Sequence, residues 1–157
     1  MSALQNKIDF VALVSVTMAN SNGDPLNGNR PRTNYDSRGE ISDVCIKRKI
    51  RNRLQDMGQC IFVQSDDRCD DGCASLRDRA EQAIKGVKDR NEYARLACEK
   101  WIDVRSFGQV FAFKEKKKGD GVSVGVRGPV SIHQALSVSP VEIESLQITK
   151  SVNGETP

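Results

Sequence analysis

The chain has 157 residues, of which 38% are hydrophobic and only 5% aromatic, and its formal net charge is +3. This length suits one domain with a buried core, and so modest a charge does not by itself indicate a nucleic-acid partner. No apolar stretch reaches membrane-spanning length, and the first residues lack the pattern of a secretory signal. We therefore predict a soluble, cytoplasmic protein with no membrane partner, whose five cysteines are reduced thiols.

The first predicted element is a strand over residues 8–18, "IDFVALVSVTM", which is apolar or β-branched at nearly every position. Such a run is typical of a central strand covered on both faces. The segment that follows, "SNGDPLNGNRPRT", contains more Asn, Gly and Pro than a simple connection needs, and it ends in Arg30 and Arg32. A loop of this length usually has a function.

A helix is predicted over residues 44–57, because Ser42 or Asp43 can cap its start and Gly58 follows its end. An apolar stripe should face the core: Ile46, Ile50, Leu54 and Met57. The cations are expected off the core, on two flanks of that stripe: Lys47, Arg48 and Arg51, and Lys49 and Arg53. Like charges at these spacings repel, so we expect an anionic partner in a groove shared with Arg30 and Arg32.

The remaining segments alternate between helical and extended patterns. A short strand is expected over 60–64, an acidic exposed insertion over 65–73, helices over 74–87 and 91–104, and a charged loop over 114–121. Strands should follow Gly108 and flank an interruption at Gly128 and Pro129. The order predicts a single α+β domain over 1–157, RNA-recognition-motif-like (ferredoxin-like) with inserted helices and loops, and incomplete at its C-terminus.

Few residues have the spacing of a catalytic or metal site. Asp24 could act as a base near a ribose hydroxyl or hold a metal, but it has no visible partner. Cys69 and Cys73 lack the second Cys or His pair of a zinc site, and His133 has no nearby nucleophile. We therefore predict no catalytic residue, no metal and no cofactor.

Two further arginines lie beside small-residue turns. Arg105 stands in "DVRSFG" and Arg127 in "VRGPV". Each can bond a phosphate while the backbone approaches closely, or form a salt bridge with an acidic neighbour, and the sequence leaves both open.

Four ordered motifs between Asn22 and about Ile148 carry a specific resemblance: "NGDPLNGNRPRT", "DVCIKRKIRNRL", "DVRSFGQVF" and "VRGPVSIHQALSVSPVEI". Together they closely resemble the backbone subunit of type I-C CRISPR Cascade, the Csd-two form of the Cas-seven family. The resemblance implies a non-catalytic protein with an RNA-recognition-like palm. Copies of it would stack along the guide RNA and act in antiviral defence. Implied partners are the guide RNA, the target DNA strand through that guide, further copies and other Cascade subunits.

The resemblance also implies particular RNA contacts. The family's opening-loop cation falls on Arg32, and its guide-backbone helix pattern falls on Lys47, Arg48 and Arg51. Arg30, Arg105 and Arg127 complete the predicted RNA-binding set.

Two alternative functions remain open at this point. One is a type III-like backbone ribonuclease that cuts target RNA with Asp24, although the Asp-Pro pair favours a structural turn there. The other is a stand-alone single-strand RNA-binding domain, which normally displays stacking aromatics where the first strand offers only Phe10.

Overall fold

A computed structural model of the protein describes residues 4–113, 123–149 and 154. These residues form a mixture of short strands and helices with small antiparallel sheets, which confirms the predicted α+β class. The RNA-recognition-like topology stays a prediction, and the predicted loop over 114–121 lies outside the described residues. The helices are α1 (Asp43–Asp56), α2 (Leu76–Ala83), α3 (Arg90–Lys100) and α4 (Ile102–Phe107). In the part of the chain described, no helix combines the length and apolarity needed to cross a bilayer.

The described residues divide into two compact units, one drawn from 1–41 and 136–157 and the other from 42–135. The predicted single domain over 1–157 stays a prediction. The strands are β1 (Gly23–Asp24), β2 (Arg30–Pro31), β3 (Arg38–Ile41), β4 (Gly108–Ala112), β5 (Ser123–Arg127) and β6 (Ala135–Pro140). β1 pairs antiparallel with β2, β3 pairs with β6, and β4 pairs antiparallel with β5.

The core of the second unit is built around an aromatic cluster. Phe62 lies 4.7 Å from Trp101 and 5.0 Å from Phe111 between ring centroids, and Tyr93 meets Phe111 edge-on at 5.3 Å. All four residues are buried. Aromatic rings at these separations add to the free energy gained by burial alone, so this cluster holds α3, α4 and β4 together.

Helix α1 agrees closely with its predicted bounds. The Ser42 Oγ accepts a hydrogen bond from the Cys45 N–H at 3.3 Å, which satisfies one of the free donors at the start of the helix. Gly58 follows the last turn with φ +77°, a left-handed conformation that favours glycine. The capping signals in the sequence therefore located both ends of this helix.

The predicted central strand over residues 8–18 is wrong in this structure. That segment is not a strand, and its side chains are exposed, with Ile8 at 62% and Leu13 at 90%. Among residues 4–113, 123–149 and 154, no strand pairs with it. A β-strand needs a neighbour for its backbone hydrogen bonds, so apolar composition alone did not produce one.

The predicted short strand over 60–64 is also wrong. Phe62 and Val63 donate their backbone N–H groups to the two carboxylate oxygens of Asp103, at 2.7 and 3.1 Å. Those donors would otherwise pair with a neighbouring strand, and the side-chain carboxylate replaces that partner. Ile61 and Phe62 are nevertheless buried, so the apolar signal correctly identified core residues.

The acidic insertion over 65–73 is tied to the second unit by Arg79. This arginine is 5% exposed, and its guanidinium forms a bidentate pair with both carboxylate oxygens of Asp71. A third hydrogen bond runs from Arg79 to the Phe62 carbonyl at 2.9 Å. One buried cation therefore connects the insertion to the chain at the edge of the aromatic cluster.

The Asp71–Arg79 pair predicts a specific loss of stability in acid. The hydrogen bonds from Arg79 hold the pKa of Asp71 well below its ordinary value. A carboxyl group with a depressed pKa in the folded state stabilises the fold above its unfolded pKa, about 4, and loses that contribution as pH falls through the folded value. We expect Asp71→Asn to cost about 1–2 kcal/mol at pH 7 and to flatten the decline of stability below about pH 4.

Urea unfolding measured from neutral to acidic pH tests this expectation. Asp66→Asn serves as the matched control, because Asp66 lies in the same insertion, is exposed and has no salt bridge among the described residues. Parallel pH profiles for Asp71→Asn and the unmodified protein would contradict the assignment.

Candidate nucleic-acid interface

The loop that precedes Arg30 is a constrained turn. The Asp24 Oδ1 accepts a hydrogen bond from the Leu26 N–H at 3.1 Å and caps a single 3-10 turn, Pro25–Asn27. Gly28 ends that turn with φ +59°. The left-handed backbone conformation explains why glycine occupies position 28, so no bound ligand is needed to explain it. The carboxylate of Asp24 has a structural role in the same loop.

Arg30 and Arg32 follow this turn on an extended stretch. Arg30 is exposed and has no salt bridge within residues 4–113, 123–149 and 154. The Arg32 side chain is 40% exposed, and its Nε lies 3.9 Å from Glu40 Oε1, at the outer limit of an ion pair. Residues two apart on extended backbone point to the same side, so these two cations share one face.

Arg51 on α1 is turned toward the interior of the second unit. Its Nε donates to Asp103 Oδ2 at 2.9 Å, and the two side chains are only 13% and 1% exposed. The guanidinium also lies over the Phe107 ring, 5.2 Å from the centroid. Because Asp103 also accepts from Phe62 and Val63, its carboxylate joins α1, α4 and residues 62–63 at one buried point.

The other two predicted cations of this flank also have intramolecular partners. Arg48 donates to the Val63 carbonyl at 2.7 Å, and burial, followed by the nearby charge of Arg51, lowers the pKa of its guanidinium. The Lys47 Nζ lies 3.1 Å from Asp43 Oδ2, and that hydrogen bond holds the pKa of Asp43 below its ordinary value. The Arg48 contact helps to orient α1 against residues 62–63, whereas the Lys47–Asp43 pair lies within the helix.

The sequence-based orientation of α1 therefore needs correction. Arg51 was expected off the core, but Asp103, 52 positions away, draws it inward. Conversely, Met57 of the predicted core stripe is 62% exposed, and no residue of α1 is fully buried. Whether Lys47, Arg48 and Arg51 also contact RNA stays a prediction, since intramolecular partners do not test it.

The outward cations of α1 are Lys49 and Arg53, which are not among the residues predicted to bind RNA. Both are exposed, and neither forms a salt bridge among the described residues. They are four residues apart, which places them on the same helix face one turn apart. Their register was visible in the sequence, but only the Asp103 contact shows which flank faces solvent.

Arg105 and Arg127 flank a close crossing of backbone. Gly108 ends α4 at φ +79° and is opposite Arg127 in the β4–β5 ladder. A Cβ atom on Gly108 would lie 2.5 Å from the Val126 carbonyl oxygen and 2.8 Å from the Gly128 nitrogen. The absence of side chains at Gly108 and Gly128 thus lets the two backbone segments cross this closely. The two arginines are exposed and form no salt bridge in the described part of the chain.

The predicted cations are divided between the two compact units. Arg30 and Arg32 belong to the first, whereas Lys47, Arg48, Arg51, Arg105 and Arg127 belong to the second, so a common groove stays a prediction. The five cysteines are free thiols, and His133 is exposed. In the described residues, no group of three or more His, Cys, Asp or Glu side chains is arranged to hold a metal ion.

Comparison with known proteins places the chain among CRISPR-associated proteins. Residues 6–157 match the family model described as CRISPR-associated protein Cas7. The chain is also 26% identical, over 155 residues, to the CRISPR-associated protein Cas7 of Haloferax volcanii. That alignment covers 87% of this chain and 44% of the relative, so the chain spans less than half the length of the curated protein it matches. The chain belongs to the Cas7 family.

Proposed function

We propose that this protein is a non-catalytic, guide-RNA-binding backbone subunit of a type I-C Cascade, of the Csd-two form. In this proposal, copies assemble along the CRISPR RNA together with other Cascade subunits in the cytoplasm. The protein holds the guide backbone, while base pairing between guide and target DNA strand supplies the sequence specificity. Family membership supports the CRISPR context.

The observation that carries the proposal is the outward face of α1, where Lys49 and Arg53 are exposed without an acidic partner among the described residues. An isolated pair of like charges slightly destabilises its own helix, whereas phosphates along an RNA strand would stabilise it. The buried Arg51–Asp103 contact keeps this face in a fixed orientation. We propose that Lys49 and Arg53 supply phosphate contacts from α1, together with Arg30, Arg32, Arg105 and Arg127.

The absence of catalysis is part of this proposal, and the geometry of Asp24 supports it. Its carboxylate accepts a hydrogen bond from the Leu26 N–H within the same turn, which gives the residue a structural reason to be present. The ribonuclease alternative requires that carboxylate to serve as a base or metal ligand for RNA cleavage.

The proposal predicts a change in the salt dependence of RNA binding. The double variant Lys49→Ala/Arg53→Ala should flatten the slope of log affinity against log salt by about 1.4, from about 0.7 for each lost phosphate contact. The loss should be equal for two RNAs of unrelated sequence, because phosphate contacts do not read bases. Fluorescence anisotropy across a salt series measures both quantities.

The matched control removes the same charge elsewhere. Lys85 and Lys88 are exposed and lie outside α1, so Lys85→Ala/Lys88→Ala should leave the slope unchanged. If both double variants flatten the salt slope equally, the effect depends on net charge alone, and this result would contradict a phosphate-binding site on α1. Electrophoresis of a labelled RNA complementary to the bound strand, after incubation with divalent cations, should show it intact. Regularly spaced products that are lost in Asp24→Ala would favour the ribonuclease alternative.

A further inference from the structure

Tyr35 stands at the apex of the turn that joins the Arg30–Arg32 stretch to β3. Its relative exposure is 108%, greater than in an extended reference peptide, so the ring contacts little of the described protein. On the predicted first strand, only Phe10 was available as a stacking aromatic residue. An exposed aromatic side chain alone needs no explanation. Tyr35 is distinguished by the turn that carries it and by the charged residues in the segment that leads to this turn.

Hydrogen bonds constrain the turn that carries Tyr35. The Asn34 Oδ1 accepts hydrogen bonds from the backbone N–H groups of Asp36 and Arg38, at 3.0 and 2.9 Å. The Asn34 N–H donates to the Arg38 carbonyl at 3.0 Å, and the Asn34 carbonyl accepts from the Ser37 N–H at 3.1 Å. These hydrogen bonds fix the apex backbone before any partner arrives, which reduces the entropy lost on binding.

The turn is also anchored at its base. Thr33 and Gly39 form an antiparallel bridge, and the backbone of Arg32 bonds Asn22 on one side and Glu40 on the other at 2.9 Å each. Arg38 extends the anchor by donating to the Ser137 carbonyl at 2.8 Å. Because these contacts lie in one compact unit, Tyr35 is held at a defined position relative to Arg30 and Arg32.

The charges near the turn favour a nucleotide whose base, rather than its phosphate, meets the apex. Arg30 and Arg32 lie on the strand that leads to the turn, whereas Asp36 directly follows Tyr35 and would repel a phosphate placed there. Proteins that hold single-stranded nucleic acid combine a cationic path for the backbone with an aromatic ring on which a base stacks. The segment from Arg30 to Tyr35 provides both within six residues.

We propose that Tyr35 is a base-stacking residue for single-stranded RNA, with Arg30 and Arg32 holding the adjoining phosphates. This inference rests on the proposed RNA-binding function. Stacking on a tyrosine ring tolerates any base, so the contact would hold a guide strand without restricting its sequence.

The test compares Tyr35→Ala and Tyr35→Phe with the unmodified protein by fluorescence anisotropy, using a mixed-sequence RNA and an abasic strand of the same length. Tyr35→Ala should weaken binding of the mixed-sequence RNA about tenfold, and Tyr35→Phe should stay within about twofold. The salt slope should not change, because a ring releases no counterions. On the abasic strand, which keeps its phosphates, all three proteins should bind alike.

Two controls separate the possible failures. Phe10→Ala removes another exposed aromatic side chain outside the turn and should leave the affinity unchanged. The melting temperature of Tyr35→Ala should equal that of the unmodified protein, because the ring is fully exposed. If the unmodified protein does not bind RNA, the proposed function fails. If it binds and Tyr35→Ala has no effect, the stacking inference is overturned. If the variant changes only the oligomeric state, the inference is also overturned, and the turn contacts protein instead.

Discussion

Asp103→Ala is expected to lower the free energy of unfolding by about 3–5 kcal/mol. The Asp103 carboxylate is 1% exposed and accepts hydrogen bonds from the Phe62 N–H, the Val63 N–H and the Arg51 guanidinium. Alanine would leave two backbone donors and a largely buried cation without their partner, and each of these groups then bears its desolvation cost. Urea unfolding followed by Trp101 fluorescence measures the difference, because that ring lies in the adjacent core.

Two further variants make this expectation falsifiable. Asp103→Asn keeps an acceptor oxygen and should cost less than alanine, so it remains measurable if the alanine variant does not fold. Arg51→Ala should also cost less, since Asp103 would keep both backbone donors. If the free energy of unfolding of Asp103→Ala lies within about 1 kcal/mol of that of the unmodified protein, the substitution behaves like one at an exposed surface position. That result would show that the buried contact does not hold α1.

Gly108→Ala is expected to cost about 3 kcal/mol or more, from two separate effects. Gly108 has φ +79° and ψ 166°, a conformation essentially restricted to glycine, which costs another residue about 1–3 kcal/mol. The added Cβ would also overlap the Val126 carbonyl oxygen at 2.5 Å, and an overpacked site typically costs about 1–3 kcal/mol more. Backbone atoms cannot rotate away as a flexible side chain can.

Gly125→Ala is the matched control, because it lies on the same β4–β5 hairpin and a Cβ there would meet nothing within 4 Å. It should change stability by less than about 1 kcal/mol, with the lower flexibility of the unfolded chain acting in its favour. Thermal and urea unfolding of both variants give the comparison. Equal effects at the two positions would mean that the crossing beside Arg127 relaxes easily.

Local signals in the sequence predicted several elements well. The bounds of α1 follow from Ser42 and Gly58, and a helix was correctly expected where α3 lies. The interruption between β5 and β6 at Gly128 and Pro129 was also predicted correctly. These features depend on hydrogen bonds and side-chain directions within a few residues of the chain.

Features that depend on distant partners were predicted less well. Residues 8–18 have the composition of a central strand, but composition does not supply the neighbouring strand that the backbone donors require. Residues 60–64 were expected to pair in a sheet, whereas the Asp103 carboxylate, about 40 positions later, accepts hydrogen bonds from the N–H groups of Phe62 and Val63. Neither outcome is encoded in the segment itself.

The amino-acid sequence alone specifies that α1 is a strongly basic helix with defined ends, because capping and helical propensity are local. Which of its cations face solvent depends instead on a contact between residues that are distant in sequence. Asp103 lies 52 positions from Arg51 in sequence but 2.9 Å from it in space, and a nearly buried carboxylate requires a charged partner. That long-range pair turns Arg48 and Arg51 toward the protein and leaves Lys49 and Arg53 outward, because side chains on one helix rotate together about its axis.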